Sequence, residues 1–240
     1  MSARFWIATI VLSSVLTSQL IAGTVTGKVA FKGAKPPAAT IKMNADPKCV
    51  KMHSGKDVPS QQTVVNANNT LQYVFVYVKK GLEGKKFPMP KSKVSIDQQG
   101  CMYHPHIFGM MVDQPLEITN SDPTLHNIHS LPKAAGNTSF NIAQPNKGMK
   151  TTKTFNKPEV MVKIKCEVHN WMAAYVGVLD HPFFAVTDEQ GNFTIKDLPA
   201  GDYELEAWHE KLGTQTIKVS VGAADTKTVD FSSDMFAASK

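Results

Sequence analysis

Short segments in which apolar and polar side chains alternate are the feature that most constrains the fold of this chain. In residues 159–166 (EVMVKIKC), Cys166 shares one face with three aliphatic residues and the lysines occupy the other, which is the period of a β-strand. Residues 71–78 (LQYVFVYV) are apolar on both faces, which predicts a central strand buried on both sides. The other segments of this kind are residues 24–31, 114–120 and 173–180 and the runs NFTI, DYELEAW, TIKVSV and TKTVDF. Helical periodicity is almost absent, so an all-β chain is predicted.

The spacing of the strands changes near residues 181–185 (HPFFA). Beyond this point the strands become shorter, and the turn clusters DEQGN, DLPAG and KLGT separate them. We therefore predict two β-sandwiches, a larger one over residues 23–182 and a smaller one over residues 183–240.

The N-terminal segment predicts export. Residues 5–16 (FWIATIVLSSVL) form an apolar run behind Arg4, and a small-residue site follows at Ala22-Gly23. The run is shorter than the roughly 20 apolar residues that span a bilayer. It is typical of a cleaved signal peptide over residues 1–22, and an uncleaved signal anchor is the alternative. We expect a periplasmic or secreted protein with no membrane span in the mature chain.

The scarcity of arginine among the positively charged residues argues against nucleic-acid binding. The chain has 26 Lys+Arg against 20 Asp+Glu, for a net charge of +6, but Arg4 is its one arginine. Proteins that read nucleic-acid sequence depend on the planar fork of arginine. The scattered lysines instead favour an acidic protein partner and predict no nucleic-acid partner.

Two of the three cysteines are expected to pair in an oxidising compartment. Cys49 and Cys101 most simply form a disulfide that closes a loop of about 50 residues, a bridge worth about 2–4 kcal/mol. The alternative is a second metal site, because His53 follows Cys49 closely and His104 and His106 follow Cys101.

The third cysteine belongs to a pattern of metal ligands. Cys166, His169 and Met172 stand three residues apart between two apolar strands, and His126 and His129 follow an upstream strand. Two imidazoles and a thiolate with a weak axial thioether are the ligands of an electron-transfer copper. The alternatives are a zinc site, for which methionine is a poor ligand, a Cys–His nucleophile, and an inert buried cysteine.

These motifs resemble the cupredoxin family over roughly residues 60–180. The strand followed by C-x-x-H-x-x-M is similar to an amicyanin- or plastocyanin-type copper loop, and N-S-D-x-x-x-H-N is similar to the segment of the first histidine ligand. The resemblance implies a Greek-key β-sandwich with one mononuclear type 1 copper. The implied ligands are His126, Cys166, His169 and Met172. It also implies that Asn127 braces the ligand loops, and His129 remains an alternative to His126.

The function implied by the resemblance is the transfer of single electrons between redox protein partners, without enzymatic activity. By analogy with that family, the ring edge of His169 would lie at the surface and transfer the electron, and Met172 would tune the reduction potential of the copper. Two other classes of function remain open: a copper-delivery protein with the metal as cargo, and an extracytoplasmic scaffold or adhesion protein with a vestigial metal site.

The last part of the chain resembles a second family. The segment TDEQGNFTIKDLPAGDYELEAWHE is similar to the carboxypeptidase regulatory-like, transthyretin-type β-sandwich. The segment GTVTGKVAFKG resembles the opening strand of the same module. We therefore expect strand 24–31 to belong to the second sandwich, with the copper domain inserted into that sandwich or packed against it.

Overall fold

The computed structural model describes residues 22–238, and their backbone forms strands with one short α-helix and one 3-10 helix. The strands are β1 (Gly23–Ala30), β2 (Thr40–Ile41), β3 (Val58–Pro59), β4 (Phe75–Lys80), β5 (Val94–Gln99), β6 (Met102–His104), β7 (Ile107–Met111), β8 (Leu116–Asn120), β9 (His126–Leu131), β10 (Asn141–Gln144), β11 (Lys150–Lys153), β12 (Glu159–Lys165), β13 (Ala173–Leu179), β14 (Phe184–Val186), β15 (Asn192–Leu198), β16 (Gly201–His209), β17 (Gly213–Val221), β18 (Thr226–Thr228) and β19 (Phe231–Ser232). Helix α1 is Pro47–Met52 and the 3-10 helix is Ser233–Met235. The predicted all-β fold is confirmed.

The predicted signal peptide, residues 1–22, lies outside the described residues except for Ala22. Within residues 22–238, no helix has the length and apolar character needed to cross a bilayer.

The first sandwich contains every residue of the predicted copper site. One of its sheets has the strand order β10-β9-β12-β13-β7 and the other the order β11-β8-β5-β6. Inward-facing side chains of both sheets form one apolar core, with Ile96, Ile118, Ile128 and Ile164 fully buried. The site residues lie at one edge of this core, in β9 and in the turn between β12 and β13.

The second sandwich draws strands from both sides of the first one in the sequence. Its sheets have the orders β14-β4-β16-β17 and β15-β1-β18, with β19 paired to β1. Strand β1 pairs with β15, as the opening-strand resemblance implies. Strand β4 lies between β14 and β16, so a division of the chain at residue 182 would cut this sheet in two. The domain limits themselves stay a prediction.

Strand β4 begins later than the apolar run suggests. The run starts at Leu71, but Tyr73 has a φ of 62°, which an extended strand does not accommodate. The strand therefore begins at Phe75, and from there to Val78 every side chain is buried. The expectation of an inner strand that is buried on both faces is met.

Two glycines allow the sandwiches to pack closely. Gly109 on β7 and Gly177 on β13 are partners in a parallel pair. A Cβ atom on Gly177 would lie 2.4 Å from the ring of Phe75, and one on Gly109 would lie 2.3 Å from the ring of Phe184. These two rings stack on each other, with centroids 5.5 Å apart. Any larger residue at either glycine would force the aromatic layer away from the first sandwich.

The segment between β1 and β4 covers one end of the first sandwich. It contains the β2–β3 ribbon and α1, whose first turn is capped by Asp46 through a bond of 2.7 Å from the Lys48 N–H to Oδ1. Cys49 on α1 forms a disulfide with Cys101 in the β5–β6 turn. The predicted disulfide is confirmed, and the alternative in which these two sulfurs bind a second metal is not the state observed.

Candidate metal centre

Strand β9 and the β12–β13 turn bring three predicted ligands together. The ligand atoms of His126, Cys166 and His169 all lie within 4.8 Å of one another, and all three side chains are buried. The two Nδ1 atoms of the histidines are 3.0 Å apart, and Cys166 Sγ lies 3.8 Å from His169 Nδ1. The residues are 43 and 3 positions apart in the sequence, so the close grouping depends on the pairing of β9 with β12.

The turn that carries Cys166, His169 and Met172 is closed by its own backbone. The N–H of Cys166 donates to the carbonyl oxygen of Met172 at 3.2 Å, and the N–H of Met172 donates to that of His169 at 2.9 Å. The N–H of His169 also points at Cys166 Sγ, 3.4 Å away. Met172 is fully buried in the same core cluster as Cys166. Spacing by threes thus keeps all three side chains inside one tight turn.

Asn127 links β9 to this turn. Its Oδ1 accepts a hydrogen bond of 2.6 Å from the N–H of Glu167 and lies 3.3 Å from Cys166 Sγ. Its Nδ2 donates to Asn141 Oδ1 on the neighbouring strand β10 at 2.5 Å. This side chain therefore fixes the position of the cysteine relative to the histidine strand.

His129 lies outside the group of ligand atoms. It is partly exposed, and its Nδ1 is 2.5 Å from Glu167 Oε1, with which it forms a surface pair. Between the two histidines offered by the sequence, the structure therefore brings His126 and not His129 to Cys166 and His169.

Two carboxylates that the sequence analysis did not select hold the far sides of the imidazoles. Asp122 Oδ2 lies 2.8 Å from His126 Nε2, and Asp46 Oδ2 lies 3.0 Å from His169 Nε2. Asp122 stands four residues before its histidine inside a cluster that reads as a turn, and Asp46 is 123 residues from its partner. The short spacing between Asp122 and His126 is a weak signal in the sequence, whereas nothing in the sequence links Asp46 to His169.

The expectation that the edge of His169 reaches the surface is wrong. The residue is 1 % exposed, because α1 and the disulfide lie over it: Cys49 Sγ is 3.5 Å from its Nε2. Trp171 packs on the same ring with centroids 5.1 Å apart and donates its Nε1–H to the carbonyl oxygen of Cys101 at 3.0 Å. The covering segment comes from residues 40–60, which the motif comparison did not associate with the site.

Charge and hydrogen bonding set the protonation of the cysteine and of the first histidine. Burial alone would raise the pKa of Cys166, but its interactions with His126 and His169 outweigh burial and lower that pKa to about 6. Burial likewise opposes a charged His126, but Asp122 and Cys166 outweigh it and raise the pKa to about 8. At neutral pH the metal-free site therefore pairs a thiolate with an imidazolium.

The second histidine and both carboxylates follow the same pattern. Burial opposes a charged His169, but its bonds to Cys166 and Asp46 raise its pKa. Burial also works against ionised Asp46 and Asp122, and their histidine partners and backbone N–H donors lower both pKa values. The site holds several charged groups out of water by pairing each with an opposite charge.

The donor set fits a soft transition metal better than a hard one. Nitrogen atoms of two imidazoles and one thiolate converge on a common point, and a thioether is buried in the same turn. Hard cations such as calcium and magnesium take oxygen ligands, whereas this combination suits copper. A buried thiolate without a metal is tolerated here because the histidines supply the opposite charge.

Comparison with known families agrees with the second resemblance noted in the sequence. Residues 173–233 match the model of the carboxypeptidase regulatory-like domain. No match was found among curated protein sequences.

The solved structures that resemble this chain include copper proteins. A Cu-containing nitrite reductase from Thermus scotoductus SA-01 matches 41% of this chain with 21% identity and a TM-score of 0.34, and the chain covers 24% of that protein. A purple cupredoxin from Nitrosopumilus maritimus matches 36% of this chain and 99% of its own length, with 23% identity and a TM-score of 0.30. An amicyanin mutant in the Cu(I) state matches 38% of this chain and 85% of its own, with 16% identity and a TM-score of 0.33.

Proposed function

We propose that this chain is an exported type 1 copper protein that carries single electrons between redox partners. The observation that supports this most directly is the buried convergence of His126, Cys166 and His169, whose ligand atoms lie within 4.8 Å of one another. Met172 would complete the set as a weak axial ligand from the same turn. Copper bound by these residues would supply a one-electron change between Cu(I) and Cu(II).

The protonation of the metal-free site prepares it for loading. With a pKa of about 6, Cys166 is a thiolate at neutral pH, so the ligand needs no further deprotonation. With a pKa of about 8, His126 keeps a proton that must leave before its Nδ1 can bind a metal. We therefore expect metal binding at neutral pH to release protons from imidazole rather than from thiol.

Because α1 and the disulfide lie over His169, a redox partner would have to approach the site at another part of the surface. Electrons would not leave through an exposed imidazole edge, but Leu125 and Val168, which precede the two histidines, are 40 % and 48 % exposed. Both residues bring apolar surface within one position of a ligand. A redox protein that contacts either of them would approach the site without entering it, and the net charge of +6 favours an acidic partner.

The experiment is an absorption and electron paramagnetic resonance titration of the metal-stripped protein with Cu(II). We expect an intense visible thiolate-to-copper band with narrow copper hyperfine splitting. The band should be lost in Cys166→Ala and in His126→Ala and kept in His129→Ala, the matched histidine outside the site. Loss in His129→Ala with retention in His126→Ala would contradict the ligand assignment.

The same titration separates the rival functions. A colourless protein that holds exchangeable Cu(I) would favour copper delivery, with the metal as cargo. A protein that binds no copper, and whose partner binding survives Cys166→Ser, would favour a scaffold built on the carboxypeptidase regulatory-like module. Either result would overturn the electron-transfer proposal.

A further inference from the structure

The two histidines of the proposed site are held by a second layer of residues that meets at the Cys49–Cys101 disulfide. Cys49, Cys101 and His169 form one group whose ligand atoms lie within 4.8 Å of one another, and Cys101, Asp122 and His126 form another. Cys101 belongs to both groups. The disulfide therefore touches the surroundings of both imidazoles, on the side away from Cys166.

Asp122 is fixed by the turn that carries Cys101. Its carboxylate accepts the backbone N–H of Gly100 at 2.8 Å and that of Cys101 at 2.7 Å, and its Oδ2 also faces His126 Nε2. The side chain is 4 % exposed. Because three donors converge on it, this carboxylate holds the imidazole in one orientation whether or not the disulfide is closed.

Asp46 is held much less firmly. Its Oδ1 caps α1 and its Oδ2 reaches His169, while Thr124 Oγ1 is at the limit of hydrogen bonding, 3.5 Å away. Helix α1 has six residues, and Cys49 is the one residue of it that is buried. A helix of this length does not persist without tertiary contacts. The disulfide is the covalent connection that keeps α1, and with it Asp46, over His169. The other contacts are the packing of Val50 and Met52 on the core and a hydrogen bond of 2.7 Å between His53 Nε2 and the carbonyl oxygen of Gly100.

We propose that Asp46 and Asp122 are positioning residues that orient the two imidazoles, and that the Cys49–Cys101 disulfide makes the hold on His169 depend on its own redox state. A carboxylate on Nε2 fixes the tautomer that leaves the Nδ1 lone pair available to a metal, and it makes the imidazole a stronger ligand. This inference rests on the proposed metal site.

The redox step requires a two-electron reductant, such as a dithiol. Two electrons and two protons pass from the dithiol to the protein, the Cys49–Cys101 bond breaks to give two thiols, and the reductant leaves as its own disulfide. Both cysteines are fully buried, so α1 has to move before the reductant reaches them. After reduction, Asp122 keeps its two backbone donors, whereas the segment that carries Asp46 loses its covalent link to the first sandwich. The effect should therefore fall on His169 and spare His126.

A double-mutant cycle on metal affinity tests this asymmetry. Zn(II) affinity is measured by competition with a chelator for the full chain, its Asp46→Asn and Asp122→Asn variants, and the Cys49→Ser/Cys101→Ser pair. Asp57→Asn is the matched control, since Asp57 is an exposed carboxylate of the same covering segment that contacts Thr40 and not a histidine. Each of the two aspartate variants should weaken binding about 10- to 100-fold, and the control should not.

The cysteine pair distinguishes the roles of the two carboxylates. In the Cys49→Ser/Cys101→Ser background, Asp46→Asn should cause little further loss, whereas Asp122→Asn should cause its full loss. Equal further losses for both aspartates would overturn the proposed link between the disulfide and Asp46. If the variant does not fold, the histidine spectra of the phosphine-reduced, metal-free wild type provide the comparison, because free thiols at Cys49 and Cys101 would add Zn(II) ligands beside His169.

Nuclear magnetic resonance of the metal-free protein keeps this test separate from the copper proposal. Long-range nitrogen–proton spectra report which ring nitrogen of each histidine carries hydrogen. The spectra are recorded at about pH 9.5, above the His126 pKa of about 8, so that a neutral ring carries one hydrogen. We expect His169 to lose its Nε2–H preference in Asp46→Asn and after reduction, and His126 to lose its preference only in Asp122→Asn. Unchanged spectra would refute the positioning role even if the copper band forms. The expected changes without a copper band would refute only the electron-transfer function.

Discussion

Each of the two sandwiches buries a histidine almost completely, but the pKa values of these two histidines shift in opposite directions. His126 in the first sandwich is 0 % exposed and His209 in the second is 2 % exposed. Burial lowers the pKa of both, but the contact with Asp122 and Cys166 raises that of His126 to about 8, whereas His209 falls to about 4.

The partners of the two rings explain the difference. His209 Nδ1 accepts the backbone N–H groups of Lys211 and Leu212, each at 3.2 Å, which suits a neutral imidazole. His126 faces a carboxylate and a thiol, which suit a cation. Equal burial therefore tells little about a histidine until its partners are known. The first sandwich surrounds His126 with groups that favour the charged ring, and the second surrounds His209 with groups that favour the neutral ring.

Removing the aromatic contact between the sandwiches should have the largest effect. Phe75 is fully buried in the layer that joins them, against Phe184 and Gly177. Phe75→Ala should lower the free energy of unfolding by about 3–5 kcal/mol, because it leaves a cavity at this interface. Denaturant unfolding followed by circular dichroism measures the loss. The control is Phe87→Ala, at a partly buried satellite position, and an equally small loss in both variants would show that the interface is not a shared core.

Acidification tests the neutral state of His209. The folded pKa is about 4 and the unfolded value is near 6.5, so between these values the unfolded chain binds a proton that the folded chain does not. The free energy of unfolding should therefore fall as the pH decreases from 6.5 to 4, by up to about 3 kcal/mol from this residue. We expect the wild type to lose more stability over this window than His209→Gln. Parallel slopes for the two proteins would contradict a neutral His209.

A buried pair across the interface should have an intermediate effect. His106 Nε2 lies 2.6 Å from Glu210 Oε1, and the two side chains are 4 % and 5 % exposed. His106 Nδ1 also bonds to the carbonyl oxygen of Ala173 at 3.0 Å, next to the predicted ligand Met172. Glu210→Gln should lower the free energy of unfolding by about 1–3 kcal/mol.

Through Ala173, the same variant should also shift the visible copper band. Glu204→Gln, which disrupts the pair between Glu204 on β16 and the exposed Lys80 on β4, is the control and should leave the band in place. Identical spectra for the two variants would show that the second sandwich does not influence the ligand turn.

The smallest effect is expected at the surface of the first sandwich. Glu117 pairs with Lys93 at 3.2 Å and with Lys150 at 2.9 Å, and these lysines lower its pKa. Because the pairs are open to solvent, Glu117→Gln should leave the unfolding midpoint in urea within experimental error of the wild type. A clear loss of stability would mean that ion pairs at the surface of this sandwich contribute to its free energy of unfolding, in addition to the charged groups in its interior.

About half of the strands and most of the residues that meet at the site could be predicted from the sequence. Alternation marked β12 and β13, and the spacing by threes placed Cys166, His169 and Met172 in the turn between them. Strands β2, β3, β5–β7, β9–β11 and β14 were missed. Most of them are short runs that mix polar and apolar residues without regular alternation, and β7 is an apolar run interrupted by Gly109. The segment that covers His169 was missed as well, because no local feature of its DPKC sequence indicates what this segment packs against.

By itself, the sequence determined the all-β class, the residue types at the site and the side of the strand on which Cys166 lies. Each of these follows from neighbours a few residues apart, because backbone geometry fixes which side chains share a face. The tertiary structure decided the placement of His126 rather than His129 beside Cys166 and His169, the pairing of β4 with β14 and β16, and the contact between Asp46 and His169 across 123 residues. Strand pairing and burial between distant segments depend on the packing of the whole chain, and local periodicity carries no record of them.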